Sequence, residues 1–284
     1  MKISSECVSC VISSCFDLMA KQLPEKLHKT AAAEMLKIAS SQDWQESPPE
    51  FARKLYTFLR DSGGKADSFA EAKKQSTLLA LELMPRMRNI IAQADYEFAA
   101  VVKAVIGGNI IDCGINRDME LDSVIPQLKD VFDMFLDEKL IRSFEERFFQ
   151  AGTLFYMLDN CGEAVFDRLL IERFPGKVIL GVRGDFILND ITRHELEDSG
   201  LGGYEFVDTG DATPGVALKR AKKEFLEAMQ SCDMVIAKGQ GNFETLDLYC
   251  RPIVHLLRVK CPAVARTLNM PRHSLALVMR NFQQ

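Results

Sequence analysis

The sequence contains no apolar stretch approaching the roughly 20 consecutive residues that a membrane-spanning helix needs. It also lacks an excess of positive charge, since 35 Lys and Arg face 40 Asp and Glu and the formal net charge is −5. Proteins dedicated to nucleic acid usually carry a basic excess, so we expect neither a nucleic-acid partner nor a membrane partner. The first seven residues contain no apolar signal core, and we therefore expect a cytoplasmic protein.

Two common nucleotide-binding signatures are missing as well. Neither GxxxxGK[ST] nor GxGxxG occurs, which argues against a P-loop and against a dinucleotide cofactor. The four His residues show no metal-ligand spacing, and eight Cys in 284 residues do not make a disulfide scaffold. Cys7 and Cys10 form one CxxC pair that could bind a metal, be redox-active or be two buried thiols. No second CxxC completes a zinc site, so Cys15 or Cys261 would have to join it.

The apolar composition, 47% of residues with 18 Phe among them, predicts a folded chain with a sizeable core. Apolar residues recur at helical spacing through the first hundred positions, and Pro48-Pro49 is predicted to open a helix from Glu50 to Leu59. We expect a helical N-terminal part over residues 1–117. A charged, helical linker is expected over residues 118–150.

From residue 151 onward, short apolar runs alternate with helical stretches. The runs 153–158 and 177–182 show no polar alternation, as is typical of strands buried on both faces of a parallel sheet. Helices are predicted over 163–174 and, with an amphipathic pattern, over 216–229. This alternation predicts an α/β fold over residues 151–284 with a mostly parallel sheet.

Polar side chains follow three of the apolar runs, which end at Leu158, Leu188 and Ala237, and in open α/β sheets ligands bind beyond the carboxyl ends of the strands. Asp159, Asn160 and Asp190 offer hard oxygen ligands that suit Mg²⁺ or Mn²⁺. Lys238 supplies a positive charge, and the glycines after it let backbone amides approach an anion. A metal, a lysine and backbone donors together suit a phosphoryl group. The alternative for each turn is an Asp or Asn that only caps the next helix.

At these residues the chain resembles the metal-dependent damage-control phosphatases, a family once catalogued as domain of unknown function eighty-nine. Four stretches match the family's motifs GNxxD, DNxGE, NDxT and KGQGNxE, namely residues 108–112, 159–163, 189–192 and 238–244. The leading CxxC and the Lys260-Cys261-Pro262 segment fit a microbial subgroup. Each motif alone is weak, but together and in this order they are specific.

The resemblance implies a three-layer α/β/α sandwich with an N-terminal all-helical part. It also implies a divalent metal (Mg²⁺, Mn²⁺, Co²⁺ or Ni²⁺) held by Asp159, Asn160 and Asp190. The substrate would be a small phosphorylated metabolite, such as a sugar phosphate or a phosphopantetheine-like ester. The residues implied in catalysis are Asp159, Lys238 and Glu163, and those implied in substrate binding are Lys238, Asn242, Asn109, Asp112 and Arg183.

One segment departs from the family pattern, because residues 183–186 replace the small Gly-Gly-Pro turn expected before NDxT. Asp185 is therefore expected to add negative charge near the pocket. Two points stay open: the nucleophile is either a metal-polarised water or the Asp159 carboxylate, and Glu163 either positions the water or favours the helix N-terminus electrostatically.

Two other functions compete with a phosphatase. One is an S-adenosylmethionine-dependent carboxyl methyltransferase on a similar sheet, although such enzymes usually have a glycine-rich turn after the first strand. Here that turn is the acidic segment 159–163. The other is a non-enzymatic protein that binds a phosphorylated metabolite. The sequence does not indicate the oligomeric state.

Overall fold

The computed structural model describes residues 1–63, 66–111 and 121–282. No helix in that part of the chain is long and apolar enough to span a membrane. The helices are α1 (Ser5–Gln22), α2 (Glu25–Ser40), α3 (Pro48–Asp61), α4 (Ala70–Ala92), α5 (Glu97–Gly107), α6 (Leu121–Asp133), α7 (Glu138–Gln150), α8 (Cys161–Ile171), α9 (Lys223–Ser231), α10 (Gly239–Leu246) and α11 (Pro262–Leu268). Short 3₁₀ helices span Gly108–Ile111 and Arg193–Glu195.

Six strands form a single sheet in the order β3-β2-β1-β4-β5-β6. The strands are β1 (Thr153–Met157), β2 (Lys177–Val182), β3 (Glu205–Asp208), β4 (Met234–Lys238), β5 (Ile253–Arg258) and β6 (Leu275–Arg280). Strands β1 to β5 are parallel, and β6 pairs with β5 in the antiparallel direction. The mostly parallel sheet predicted from the apolar runs is confirmed.

The two faces of β1 lie in different cores, because successive side chains of a strand point to opposite sides. Leu154 and Tyr156 pack in the larger core with residues of α4, α5, α7 and α8. Phe155 and Met157 pack in a smaller core that contains Phe225 of α9. Helices thus cover both faces of the sheet, which confirms the predicted three-layer sandwich.

The first three helices form a separate apolar cluster beside the carboxyl edge of the sheet, and Ala263 of α11 belongs to it. Helix α3 begins at Pro48, two residues before the predicted start at Glu50. Ser47 and Glu50 form a capping box there, in which the Ser47 amide donates to the Glu50 carboxylate (2.9 Å). Helices α4 to α7 share the larger core with the sheet. The division of the chain at residues 117 and 150 stays a prediction.

The amphipathic helix expected over residues 216–229 is wrong in its first half, because α9 begins only at Lys223. The amide of Val216 donates to the Thr245 hydroxyl of α10 (2.9 Å), and the amide of Lys222 donates to the Thr209 carbonyl (3.0 Å). These tertiary bonds hold the segment against its neighbours in a non-helical path, which periodicity alone does not reveal.

Candidate metal and phosphate site

A backbone bridge joins two loops at the carboxyl end of the sheet. The amide of Ile191 donates to the carbonyl of Asp159 (2.8 Å), and residues 160 and 190 form an isolated antiparallel bridge. Asp159 and Asn160 follow β1, whereas Asp190 follows β2. The bridge therefore brings together the three residues that the sequence singled out as metal ligands.

The guanidinium of Arg183 lies between the two carboxylates. Its Nε donates to Oδ2 of Asp190 (2.6 Å), and its Nη2 donates to Oδ1 of Asp159 (3.3 Å). The remaining nitrogen, Nη1, donates to Oδ1 of Asn242 (2.9 Å). Both carboxylates therefore converge on one buried guanidinium.

The Asp159 carboxylate also lies against the first turn of α10. Nδ2 of Asn160 donates to its Oδ2 (3.2 Å), and the backbone of Gly239 packs on the same oxygen. Gly239 has a φ of +76°, and a Cβ atom there would collide with the carboxylate. Glycine is thus required at this position both for the left-handed backbone and for the close approach.

Burial raises the pKa of Asp159 well above its usual range, and the negative charges of Asp190 and Glu163 raise it further. Arg183 and Lys260 oppose this rise because their positive charges favour the ionised form. The upward shift thus reflects both burial and the neighbouring carboxylates, which Arg183 and Lys260 oppose.

Lys238 lies behind this site and is enclosed by partners. Its ammonium donates to Glu163 (2.5 Å), to Asp167 (2.7 Å) and to the carbonyl of Val105 (3.0 Å), and its side chain is fully buried. Burial alone would lower the pKa of Lys238, but Asp167 and Glu163 outweigh it and raise the pKa. The lysine therefore stays charged inside the protein.

Asp167 and Tyr156 complete this buried cluster, and the sequence reasoning missed both. The Tyr156 hydroxyl donates to Asp167 (2.8 Å). Burial raises the pKa of Asp167 to about 6, although the charge of Lys238 opposes the shift. Asp167 follows Glu163 by four residues on α8, so helical spacing could have indicated that the two carboxylates share a face.

The remaining predicted substrate residues are also buried. Asn109 donates to Glu163 (2.7 Å). Asn242 donates to the carbonyls of Leu158 (3.1 Å) and Lys238 (2.7 Å), and it accepts from Arg183. In the structure these side chains brace the loops around the site. Asp112 lies outside the described residues.

A cleft of about 640 Å³ opens in front of the carboxylates, between α1, α3 and the strand ends. Asp159, Asn160 and Asp190 line it. Lys238, Glu163, Arg183, Asn109 and Asn242 do not belong to its lining among the described residues. The predicted metal ligands therefore face the cleft, whereas the other predicted site residues lie behind them.

Sequence reasoning assigned no role to three further polar side chains of the cleft. Gln240, Glu244 and Lys260 line it together with the predicted metal ligands. Nε2 of Gln240 donates to Glu244 (3.0 Å), and burial raises the pKa of Glu244 to about 7. Gln240 and Glu244 belong to the KGQGNxE match at the end of β4, and Lys260 follows β5. Their position after strand ends is the sequence signal that could have identified them.

Asp185 does not lie on the cleft wall. It accepts a hydrogen bond from Nη1 of Arg60 (2.7 Å), and 47% of its side chain is exposed. The negative charge that was expected near the pocket is thus paired at the surface, because the loop after β2 turns this side chain toward α3.

The CxxC cysteines line the same cleft from α1, Cys7 buried and Cys10 exposed, together with Cys261. All seven cysteines of the described residues are free thiols. Within residues 1–63, 66–111 and 121–282, no three or more His, Cys, Asp or Glu side chains are arranged to bind a metal. A thiolate metal site that includes Cys261 therefore has no support in this part of the chain.

Comparisons with known proteins agree with the motifs. A family profile described as the damage-control phosphatase ARMT1-like domain matches residues 3–275. The damage-control phosphatase PH1575 of Pyrococcus horikoshii is 32% identical over 298 residues, with 100% of both chains covered. A damage-control phosphatase of Archaeoglobus fulgidus is 29% identical, covering 95% of this chain and 96% of its own.

The fold agrees with a solved structure as well. The crystal structure of PH1575, described as a DUF89 family protein, superposes with a TM-score of 0.88 at 29% sequence identity. The superposition covers 99% of this chain and 100% of that one. The chain is thus similar to PH1575 over its whole length, helical N-terminal part included.

Proposed function

Because the chain belongs to the damage-control phosphatase family, we propose that it is a divalent-metal-dependent phosphatase acting on a small phosphorylated metabolite. Asp159, Asn160 and Asp190 are the proposed metal ligands. The observation that carries this proposal is their convergence at the cleft, where Arg183 contacts both carboxylates. The substrate class we propose is a sugar phosphate or a phosphopantetheine-like ester.

The donor set fits a hard divalent cation. Two carboxylates and one amide are the oxygen ligands that Mg²⁺ and Mn²⁺ prefer, with further positions left to water and substrate. Two carboxylates here face one guanidinium, and the charge of Asp190 disfavours ionisation of Asp159. A bound cation would reduce this repulsion between the two carboxylates. When bound, the cation would polarise a phosphate oxygen as a Lewis acid.

Glu163 is proposed to orient Asn160 rather than to position water. Its Oε1 accepts from Lys238 (2.5 Å), and its Oε2 accepts from Asn109 (2.7 Å) and Asn160 (3.3 Å). Both oxygens are therefore engaged by the chain itself. Glu163 is thus a positioning residue, and Lys238 holds it from behind.

The nucleophile is a water or the Asp159 carboxylate. Borohydride reduction during turnover distinguishes them, because it converts an aspartyl phosphate to homoserine. Homoserine at position 159 would identify the carboxylate as the nucleophile, and unmodified Asp159 under the same conditions would favour water.

The proposal is tested with a panel of phosphate esters and Mg²⁺, Mn²⁺, Co²⁺ or Ni²⁺, with inorganic phosphate as the measured product. We expect release that stops on addition of EDTA and returns with excess metal. Asp190→Asn should lower turnover roughly 100-fold or more, since it removes a charged ligand. Asp185→Asn, which makes the same change on the same loop outside the cleft, serves as the matched control.

Turnover that continues in EDTA, or an Asp190→Asn variant as active as Asp185→Asn, would contradict the proposal. The competing functions give different results in the same preparation. Tight binding of a methyl donor without phosphate release would favour a methyltransferase, and binding of phosphate esters without release would favour a binding protein.

A further inference from the structure

The loop that carries Asp190 contains a strained turn. Leu188 has a φ of +47°, a left-handed backbone conformation that is an outlier for a bulky side chain. The amide of Asp190 closes this turn by donating to the carbonyl of Ile187 (3.1 Å). A conformation of this kind costs roughly 1–3 kcal/mol and persists only where the surrounding structure holds it. The chain on both sides of the turn must therefore be fixed.

After the turn, Glu195 holds the residues that follow Asp190. Its Oε2 accepts from the amide (2.8 Å) and from the hydroxyl (2.7 Å) of Thr192, and the two residues form the capping box of a 3₁₀ helix. Between Asp190 and Thr192, the amide of Ile191 donates to the carbonyl of Asp159 (2.8 Å). Glu195 thus fixes the backbone two residues beyond a proposed metal ligand.

Lys73 of α4 contacts the chain on both sides of the strained turn. Its ammonium donates to Oε1 of Glu195 (3.2 Å) after the turn, and it lies 4.8 Å from the centroid of the Phe186 ring before the turn. Only 2% of the Lys73 side chain is exposed, so water screens these contacts little. Its other ionic partner, Asp67 (3.0 Å), precedes α4 and lies outside the loop. One ammonium therefore closes the loop over residues 186–195.

The geometry points to Lys73 as a positioning residue that fixes Asp190 for metal binding, through its contacts with Glu195 and Phe186. This inference rests on the phosphatase function and the metal site proposed above. Among the described residues, Lys73 does not belong to the lining of the cleft. Its effect on a bound metal would therefore be indirect, through the place it gives to the loop.

Glu195 and Asp67 offer a matched pair of variants, because both are partners of the same ammonium. Each carboxylate gives one oxygen to Lys73 and the other to a backbone amide, that of Thr192 for Glu195 and that of Phe69 for Asp67 (2.9 Å). Their side chains are similarly exposed, at 16% and 13%. Glu195→Gln and Asp67→Asn thus make the same chemical change, but only Glu195 belongs to the loop.

The lysine itself is removed in the double variant Lys73→Met with Asp67→Asn. Lys73→Met by itself would leave two carboxylates without their cation and risk unfolding, whereas the double variant leaves one. Comparison of the double variant with Asp67→Asn isolates the effect of the ammonium on the loop. Urea denaturation of the metal-free proteins verifies that each variant is folded.

Calorimetric titration with MnCl₂ measures the expected difference in metal affinity. We expect Glu195→Gln and the double variant to bind Mn²⁺ about 10-fold more weakly than the wild type, because residues that orient a metal ligand usually contribute at least that much. Asp67→Asn should stay within about twofold of the wild type. Hydrogen exchange over residues 186–192, measured without metal, should be faster in the double variant than in Asp67→Asn.

A double variant that matches Asp67→Asn in Mn²⁺ affinity would overturn the inference while leaving the metal site intact. Equal weakening in Glu195→Gln and Asp67→Asn would also overturn it, because the effect would then not depend on the loop. A wild type that binds no Mn²⁺ would instead contradict the proposed metal site. Hydrogen exchange would then decide whether Lys73 fixes the loop: faster exchange in the double variant would support that role, and equal exchange would refute it.

Discussion

Two charged clusters lie one behind the other at the carboxyl end of the sheet. The front cluster comprises Asp159, Asp190 and Arg183, and the back cluster comprises Glu163, Asp167 and Lys238. Each sets two carboxylates against one cation. The front carboxylates line the cleft, whereas Lys238 is completely enclosed. The two clusters therefore differ in their access to the cleft, not in the number of their charges.

The largest expected effect is on the back cluster. Lys238→Met leaves Glu163 and Asp167 buried without their cation, so we expect a loss of roughly 3–5 kcal/mol in the free energy of unfolding. Urea denaturation measures this loss. The double variant with Asp167→Leu should recover part of it, since one uncompensated carboxylate is removed. A single variant within about 1 kcal/mol of the wild type would show that the back cluster is not a structural brace.

The front cluster should behave in the opposite way. Asp159→Asn removes one of two repelling carboxylates and leaves Arg183 paired with Asp190, so the free energy of unfolding should change by less than about 1 kcal/mol. Turnover should nevertheless fall roughly 100-fold or more, because a charged metal ligand is lost. Steady-state kinetics and urea denaturation of one preparation give both values. If Asp159→Asn lost several kcal/mol of stability together with its activity, the front cluster would be as important to the fold as the back cluster, and the expected difference between them would be wrong.

A substitution at the contact between the front cluster and α10 should have an intermediate effect on stability. Gly239→Ala forces a side chain into a left-handed backbone and against the Asp159 carboxylate, and should lower stability by roughly 2–3 kcal/mol as well as activity. Gly203→Ala is the matched control, because its Cβ would meet open space. Equal melting temperatures for the two variants would contradict the close approach of Gly239 to Asp159.

The smallest effect concerns His255, a buried group outside both clusters whose ring nitrogens have no partner among the described residues. Burial lowers its pKa to about 3, so the unfolded chain takes up a proton first as the pH falls. The neutral His255 therefore costs no stability above pH 6.5. The free energy of unfolding falls as the pH drops from 6.5 toward 3, because the unfolded chain binds the proton and the folded chain does not. At pH 5 the loss is about 2 kcal/mol, given the ordinary pKa of about 6.5.

His255→Leu should remove that part of the pH dependence. Urea denaturation at pH 7 and pH 5 should show a stability difference smaller by about 2 kcal/mol in the variant than in the wild type. The same difference in both proteins would mean that His255 is protonated in the fold and that burial does not suppress its charge.

Much of the fold could be predicted because its signals are local. The unbroken apolar runs of β1 and β2 identified buried parallel strands, and the polar residues after them marked the edge where ligands bind. The same rule was expected to bring Asp159 and Asp190 together, but Asp190 lies on the loop after β2 and reaches Asp159 through a backbone bridge that the sequence does not show. The start of α9 could not be predicted, because Val216 is held away from helix by Thr245, a residue distant in sequence.

The position of Lys238 shows the limit more clearly. Spacing places Lys238 at a strand end, but it does not say on which side of the Asp159 carboxylate its ammonium lies. Lys238 is drawn behind the site by Asp167 on α8 and by the Val105 carbonyl on α5. Those partners precede it in the chain by many residues, so only the tertiary structure reveals them.

The central claim is that Asp159, Asn160 and Asp190 hold one divalent cation at the front of the sheet. Calorimetric titration of EDTA-treated protein with MnCl₂ tests it without reference to any substrate. We predict one Mn²⁺ bound per wild-type chain and no measurable binding to Asp190→Asn. Equal stoichiometry and affinity in the two proteins would contradict the claim.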